Sequence, residues 1–416
     1  VCIFALACSS QAAWVINDSD STNRTEHINA TISNNITLTN KNTAIYTDRN
    51  SPIGELTINE GVTIQVNKNN GKGIEINTGN GGTQVNNITN NGHINTKGTG
   101  ISINDRSSAE TITVGANGSI TSAGGNAIYV GNGSRVNHID IQGATTGSGG
   151  IINRGTIGVN GTTTQPNGIK VTGSITSRNN NVAAIENRGT INGGIDVEGT
   201  LTGGTSSSYW GFHTSILNYK TINGGIKVGK DAVLNGGIIN VQLWDGPASI
   251  TGDITVDGTI NMNGRGSAIN NGYMGTVNGN IIVGENGKLG GNIWNQNQIT
   301  GKIEVKGKVD GRIVNRNGGS NIGESIIISG GTVTQDITNE GTVGQKIEVT
   351  NNSNVGSIQN TGTVTQKIEV TQNSTIQNGI TNTNTINGID ITNSTIGGNI
   401  VNSGSNASTG AINITN

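Results

Sequence analysis

"IENRGTINGGIDV", residues 185–197, places Ile or Val at 185, 191, 195 and 197 and fills most of the gaps with Asn and Gly. Apolar residues two apart, as at Ile195 and Val197, are the alternation of a strand with one buried face. β-Branched side chains favour that pleated surface. Corners need residues that accept φ > 0, where Gly has no Cβ to clash and Asn is the best tolerated of the others. The stretch therefore reads as short strands joined by tight corners, with Gly189, Gly193 and Gly194 as corner candidates.

Followed along the chain, the Asn of Ile185-Glu186-Asn187 recurs as Asn153, Asn187, Asn218, Asn240, Asn271, Asn295, Asn315, Asn339, Asn360, Asn382 and Asn402. The steps are 20 to 24 residues, with about ten more in three of them (153 to 187, 187 to 218 and 240 to 271), where loops are expected. Other positions keep the same register: Val333, Val355, Ile376 and Ile396; Ile337, Ile358, Ile380 and Ile400; Val343, Val364 and Ile386; Ile347, Ile368 and Ile389. Farther upstream Val277 aligns with Ile299, Ile281 with Ile303, Leu289 with Val309 and Ile293 with Ile313. A fixed period of this size marks a solenoid, in which each repeat buries its apolar face only by stacking on its neighbours. Twenty-odd residues make two or three strands of about five with tight turns, one rung of a parallel β-helix. We therefore predict an all-β fold, a right-handed parallel β-helix of about 15 to 18 rungs stacked at roughly 4.8 Å. The repeated Asn is predicted to form a structural ladder, each amide bonding to the amide above and below.

Composition agrees. The chain has 416 residues, with 67 Gly and 65 Asn but only 3 Pro; 3% are aromatic and 12% charged. Twenty-four Lys plus Arg against 26 Asp plus Glu leave a formal charge of −2, so there is no basic footprint for nucleic acid. Both cysteines, Cys2 and Cys8, fall in "VCIFALACSSQAAW". Residues 1–12 read as the end of a secretory signal, with Ala5-Leu6-Ala7-Cys8 as an alternative lipoprotein site. Beyond it the exported chain has no disulfide and must hold by packing alone. Residues 13–80 follow the pattern loosely, and the polar "NDSDSTNRTEHINA", 17–30, is expected to belong to an N-terminal cap; 81–416 are expected to be regular helix. "ITNNGHINTKGTGISIN", 88–104, still carries the motif as Ile88-Thr89-Asn90, and "ASTGAINITN" at the other end alternates like a rung, so the helix is expected to continue past Asn416.

The pattern Ile-x-Asn-x-Gly-Thr-(Ile/Val) stands at 151–157, 185–191, 337–343 and 358–364, with a looser copy at 380–386. In this it resembles the repeats of type V autotransporter passenger domains of Gram-negative bacteria, over roughly residues 80 to 416. The resemblance implies a β-helical passenger exported through the periplasm to the cell surface or medium by a C-terminal outer-membrane barrel. Passengers of this kind serve as adhesins, aggregation factors and other virulence-associated surface proteins. The implied partners are a host-cell surface or glycan, or other copies of the chain. Contact with membrane would come only through a barrel absent from these residues, which lack amphipathic, aromatic-girdled barrel strands.

The sequence gives little sign of catalysis, and no enzyme, metal or cofactor is expected. His27, His93, His138 and His213 are scattered, with no His-Glu-x-x-His spacing. There is no Gly-x-Ser-x-Gly elbow, and "GNGGTQVNN", 79–87, lacks the Asp of calcium-binding nonapeptides. Asp196 and Glu198 share one side of a strand and are the candidate pair for the competing reading, a polysaccharide lyase or hydrolase on the same scaffold. That reading requires charged side chains clustered over three adjacent rungs. A third reading is a released matrix or S-layer-like protein. The candidate ligand-contact loop is "TSSSYWGFHTSILNYK", 205–220, with Tyr209, Trp210, Phe212 and Tyr219, to which Trp244 in "VQLWDGPAS" is added.

Overall fold

A computed structural model of the chain describes residues 28–39, 42–47, 53–77, 84–159, 168–204, 213–242, 246–262, 266–316 and 318–415. Among these, the chain is all strand and turn, and the strands pair in parallel, rung on rung. The fold is a parallel β-helix. It divides into two compact units, residues 1–195 with 199–205, and residues 196–198 with 206–416.

Up to Asn153 a rung is three strands, such as Ser108–Val114, Ser119–Ser122 and Ile128–Val130. They pair with Arg135–Ile141, Ala144–Gly147 and Ile151–Asn153 of the following rung, setting Ile112 on Ile139, Ile120 on Thr145 and Ile128 on Ile151. The pattern is already in place at Ile28–Ile32, which pairs with Ile53–Ile58, which in turn pairs with Gln84–Asn90. From Ile28 the chain thus builds ordinary rungs, although its polar residues blur the alternation in sequence. Residues 13–27, where a cap was expected, lie outside the described residues.

After Asn153 most rungs have four short strands rather than the two or three expected, as in Thr221–Asn223, Ile226–Val228, Val233–Asn235 and Gly237–Asn240. The added break falls at Gly224 and Gly225, with φ of 105° and 75°, which turn the chain inside what is one long strand upstream. Gly193 and Gly194, at 80° and 76°, make the corner expected of them. Gly189 serves a different purpose: a Cβ there would stand 2.0 Å from the Gly155 carbonyl oxygen, so it is needed for rung-to-rung approach rather than for its φ.

The core is a set of inward columns in register. Ile293, Ile313, Ile337, Ile358 and Ile380 stack directly and are fully buried, as are Ile281, Ile303, Ile326, Ile347, Ile368 and Ile389 in the other sheet. Each such side chain stabilises the stack by roughly 1.5–3 kcal/mol. The residues within the three long steps, 160–167, 205–212, 243–245 and 263–265, lie outside the described residues.

Candidate functional site

The asparagine ladder forms as the repeat predicts. In the first unit Asn153 Nδ2 donates to Asn187 Oδ1 at 2.8 Å. In the second, Asn218, Asn240, Asn271, Asn295, Asn315, Asn339, Asn360, Asn382 and Asn402 form one chain of such bonds, each 2.7 or 2.8 Å. All but Asn402 are at most 1% exposed. The amides also donate to backbone, as Asn360 does to the Gly362 and Thr385 carbonyls at 2.9 and 3.3 Å. A buried amide is affordable here because every rung supplies its partner.

The ladder column has a beginning that the motif conceals. Upstream of Asn153 the same inward position holds Val130, Ile103, Ile76 and Thr47 in register. Asn90, the motif's earliest copy, belongs to the other sheet, between Ile58 and Val114. It donates to the Ser119 carbonyl at 2.9 Å, but its fully buried Oδ1 has no partner among the described residues. A second ladder carries no mark in the Ile-x-Asn motif: the Ser353 N–H donates to Ser374 Oγ and the Ser374 N–H to Ser394 Oγ, at 3.2 and 3.3 Å. Its signal is the turn repeated as "TNNS" and "TQNS", 350–353 and 371–374, whose central residues all have φ near +60°.

Of the proposed contact residues, Tyr209, Trp210, Phe212 and Trp244 lie outside the described residues. Tyr219 directly follows strand Thr214–Asn218 and is 9% exposed, so it is packed in rather than presented. Aromatic surface stands elsewhere: Tyr273 is 65% exposed, and Trp294, outward between Ile293 and Asn295, carries the Arg316 guanidinium 4.9 Å from its ring centre.

The carboxylates are engaged by lysines. Lys227 bridges Glu198 at 2.8 Å and Asp196 at 3.5 Å; its hydrogen bond to Glu198 outweighs partial burial and raises its pKa. Glu348, Glu369 and Asp390 stack in register on three successive rungs. Lys346 ties Glu348 to Glu369 at 3.1 and 2.7 Å, and Lys367 holds Asp390 at 2.6 Å. Hydrogen bonds from Lys367 and Asn413 hold the Asp390 carboxyl below its ordinary range. Glu304 is also low: desolvation pushes it up, but Lys302 and Lys306 outweigh that.

The described histidines, His93, His138 and His213, group with no metal-binding cluster. His93 Nδ1 lies 2.8 Å from Ser119 Oγ, and His138 Nδ1 donates to the Gly168 carbonyl at 3.1 Å, with burial lowering its pKa. Among the described residues no three His, Cys, Asp or Glu side chains group to hold a metal, and no helix is long and apolar enough to cross a membrane. Comparison with protein-family models, curated proteins and solved structures gives no match.

Proposed function

We propose that the chain is an exported interaction protein of the autotransporter-passenger kind, displayed on the outer surface of the cell or released from it, and acting in adhesion and aggregation. The observation that carries this reading is an uncharged, solvent-facing column in the second unit. From Thr221 through Thr276 and Asn321 to Thr385 and Ser408, successive rungs place only Thr, Ser, Gln or Asn at one outward position. Hydroxyls and amides repeated at about 4.8 Å offer the same weak contact many times over. Repetition of that kind produces avidity without a deep pocket. The motif resemblance supplies the export route and the cell-surface setting.

The polysaccharide lyase or hydrolase reading has one observation in its favour, the charged residues Lys346, Glu348, Lys367, Glu369 and Asp390 on three adjacent rungs. Their pairing argues against it. A general acid needs a carboxyl raised toward neutrality, whereas Asp390 is held low. Display of the full chain on a non-adherent Gram-negative host tests both readings. Settling of the culture and binding to epithelial monolayers are expected. A host that neither aggregates nor adheres while displaying folded protein would overturn the adhesion reading, and release of cleaved polysaccharide by the chain would establish the other.

A further inference from the structure

We propose that the second unit carries a recognition surface for an acidic glycan, a saccharide bearing carboxylate or sulfate groups, formed by Lys288, Lys308, Arg312 and Arg316 with the aromatic rings of Trp294 and Tyr273. The proposal deepens the reading of the chain as an interaction protein and rests on it.

These residues meet on one outer wall. On adjacent rungs Lys288 stands directly beside Lys308, and Trp294 beside Val314. Strand Thr332–Asn339 of the next rung pairs with both Lys308–Val309 and Ile313–Asn315, so these two short strands share one sheet, with an irregularity opposite their junction. Leu289, Ile293, Val309 and Ile313 are fully buried and point inward, so Lys288, Trp294, Lys308 and Arg312 beside them point outward. Tyr273, at the corner after Asn271, lies one rung before Trp294. Lys288, Lys308, Arg312, Arg316 and Tyr273 are all exposed and open to a ligand. The run from Lys308 to Arg316 extends on the order of 20 Å along the wall, the scale of an oligosaccharide rather than of a single ring.

Charge on this wall is one-sided. Over residues 288–296 and 308–316 the chain places four cations against one carboxylate, Asp310, although its formal net charge is −2. Asp310 holds Lys308 at 2.6 Å, and Asp336 of the next rung lies 3.4 Å from Arg312. Among the described residues no carboxylate pairs with Lys288 or Arg316. In the other sheet, by contrast, Lys302, Lys306, Lys346 and Lys367 all face carboxylates. Like charges directly opposite each other, as Lys288 and Lys308 are, destabilise a sheet, and an anion bridging them offsets that cost. The Arg316 guanidinium rests 4.9 Å from the Trp294 ring centre, and stacking holds its planar fork ready for a carboxylate or sulfate. Tyr273 adds an aromatic face for sugar C–H surfaces. Lys288–Leu289 and Lys308–Val309 are paired to neighbouring rungs on both sides, so an acidic peptide finds no free strand edge to join. Four cations on two rungs are too local a footprint for a nucleic-acid duplex.

The test is calorimetric titration of the full chain with hexagalacturonate, a heparin hexasaccharide and neutral maltohexaose, with oligothymidylate and polyglutamate as anions that are not glycans. At least one acidic hexasaccharide is expected to bind, more weakly as salt rises, and maltohexaose is not. Which of the two binds separates carboxylate from sulfate recognition. Lys288→Gln combined with Arg316→Gln is expected to weaken binding roughly tenfold or more, with circular dichroism unchanged. Tyr273→Ser, at an exposed corner, is expected to weaken it severalfold and keeps the test intact if the double variant fails to fold. Lys306→Gln removes a charge from the other sheet and is expected to leave binding as it was. The surface is refuted by absence of binding for both acidic hexasaccharides, by maltohexaose, oligothymidylate or polyglutamate bound as tightly, by binding that survives in the folded variants, or by an equal loss in Lys306→Gln. Acidic-glycan binding by a chain whose displaying cells neither adhere nor aggregate would leave the surface standing and remove the adhesion role. Adhesion without such binding would do the reverse.

Discussion

Replacing Asn360 by Leu puts the ladder to a quantitative test. The Asn360 amide accepts from Asn339 at 2.8 Å and donates to Asn382 at 2.7 Å, to the Gly362 carbonyl at 2.9 Å and to the Thr385 carbonyl at 3.3 Å. Leucine removes all four contacts. Asn339 keeps its bonds to the Gly341 and Thr363 carbonyls, so its two amide hydrogens remain satisfied. Asn382 Oδ1 is worse placed, retaining a single weak contact from the Asn384 N–H at 3.4 Å. At about 1 kcal/mol for each buried bond, and somewhat more for the stranded oxygen, the loss is roughly 4 kcal/mol. Burying the leucine side chain returns on the order of 1.5 kcal/mol, leaving a net cost of about 2–3 kcal/mol. Because rungs contact only their neighbours, the damage is expected near residues 339–385 and not throughout the chain. Denaturant unfolding measures the total, and hydrogen exchange with mass spectrometry locates it. A change below about 0.5 kcal/mol with unaltered exchange would show that the ladder follows from the fold without supporting it.

Three further outcomes follow from the same geometry. Val130→Asn adds an amide next to Asn153 and is expected to cost under about 1 kcal/mol, whereas Ile103→Asn, with Ile76 and Val130 as its neighbours, strands a buried amide and is expected to cost about 3–5 kcal/mol; equal melting of the two would contradict the ladder's polarity of partners. Asn90→Val replaces a residue with an orphaned Oδ1 between Ile58 and Val114, and is expected to stabilise by roughly 1 kcal/mol in denaturant titration. Lys367→Ala is expected to raise the Asp390 pKa toward the ordinary carboxylate value, read by NMR titration. As Asp390 is depressed in the folded state, its pairing contributes above the ordinary carboxylate range and is lost as pH falls through the folded pKa, so the variant's deficit should vanish in acid.

The alternation of Ile and Val with polar residues, repeated at a near-constant period, was enough to determine the fold. A period of two fixes which side chains face inward, and constant spacing makes like residues meet, so the inward columns and the ladder from Asn153 onward are legible in the sequence. The same logic could not place Asn90. Its local motif matches the ladder copies, but only the pairing of Gln84–Asn90 with Ile53–Ile58 assigns it to the opposite sheet. Corner positions likewise decided that most rungs after Asn153 have four strands, and close approach rather than φ explained Gly189. Surface chemistry was the least legible part. Lys346 reaches a carboxylate 23 positions away. The sequence by itself determined what faces the core, since that is set within a strand; the tertiary structure decided what the outer wall can hold, since that depends on which rung each side chain meets.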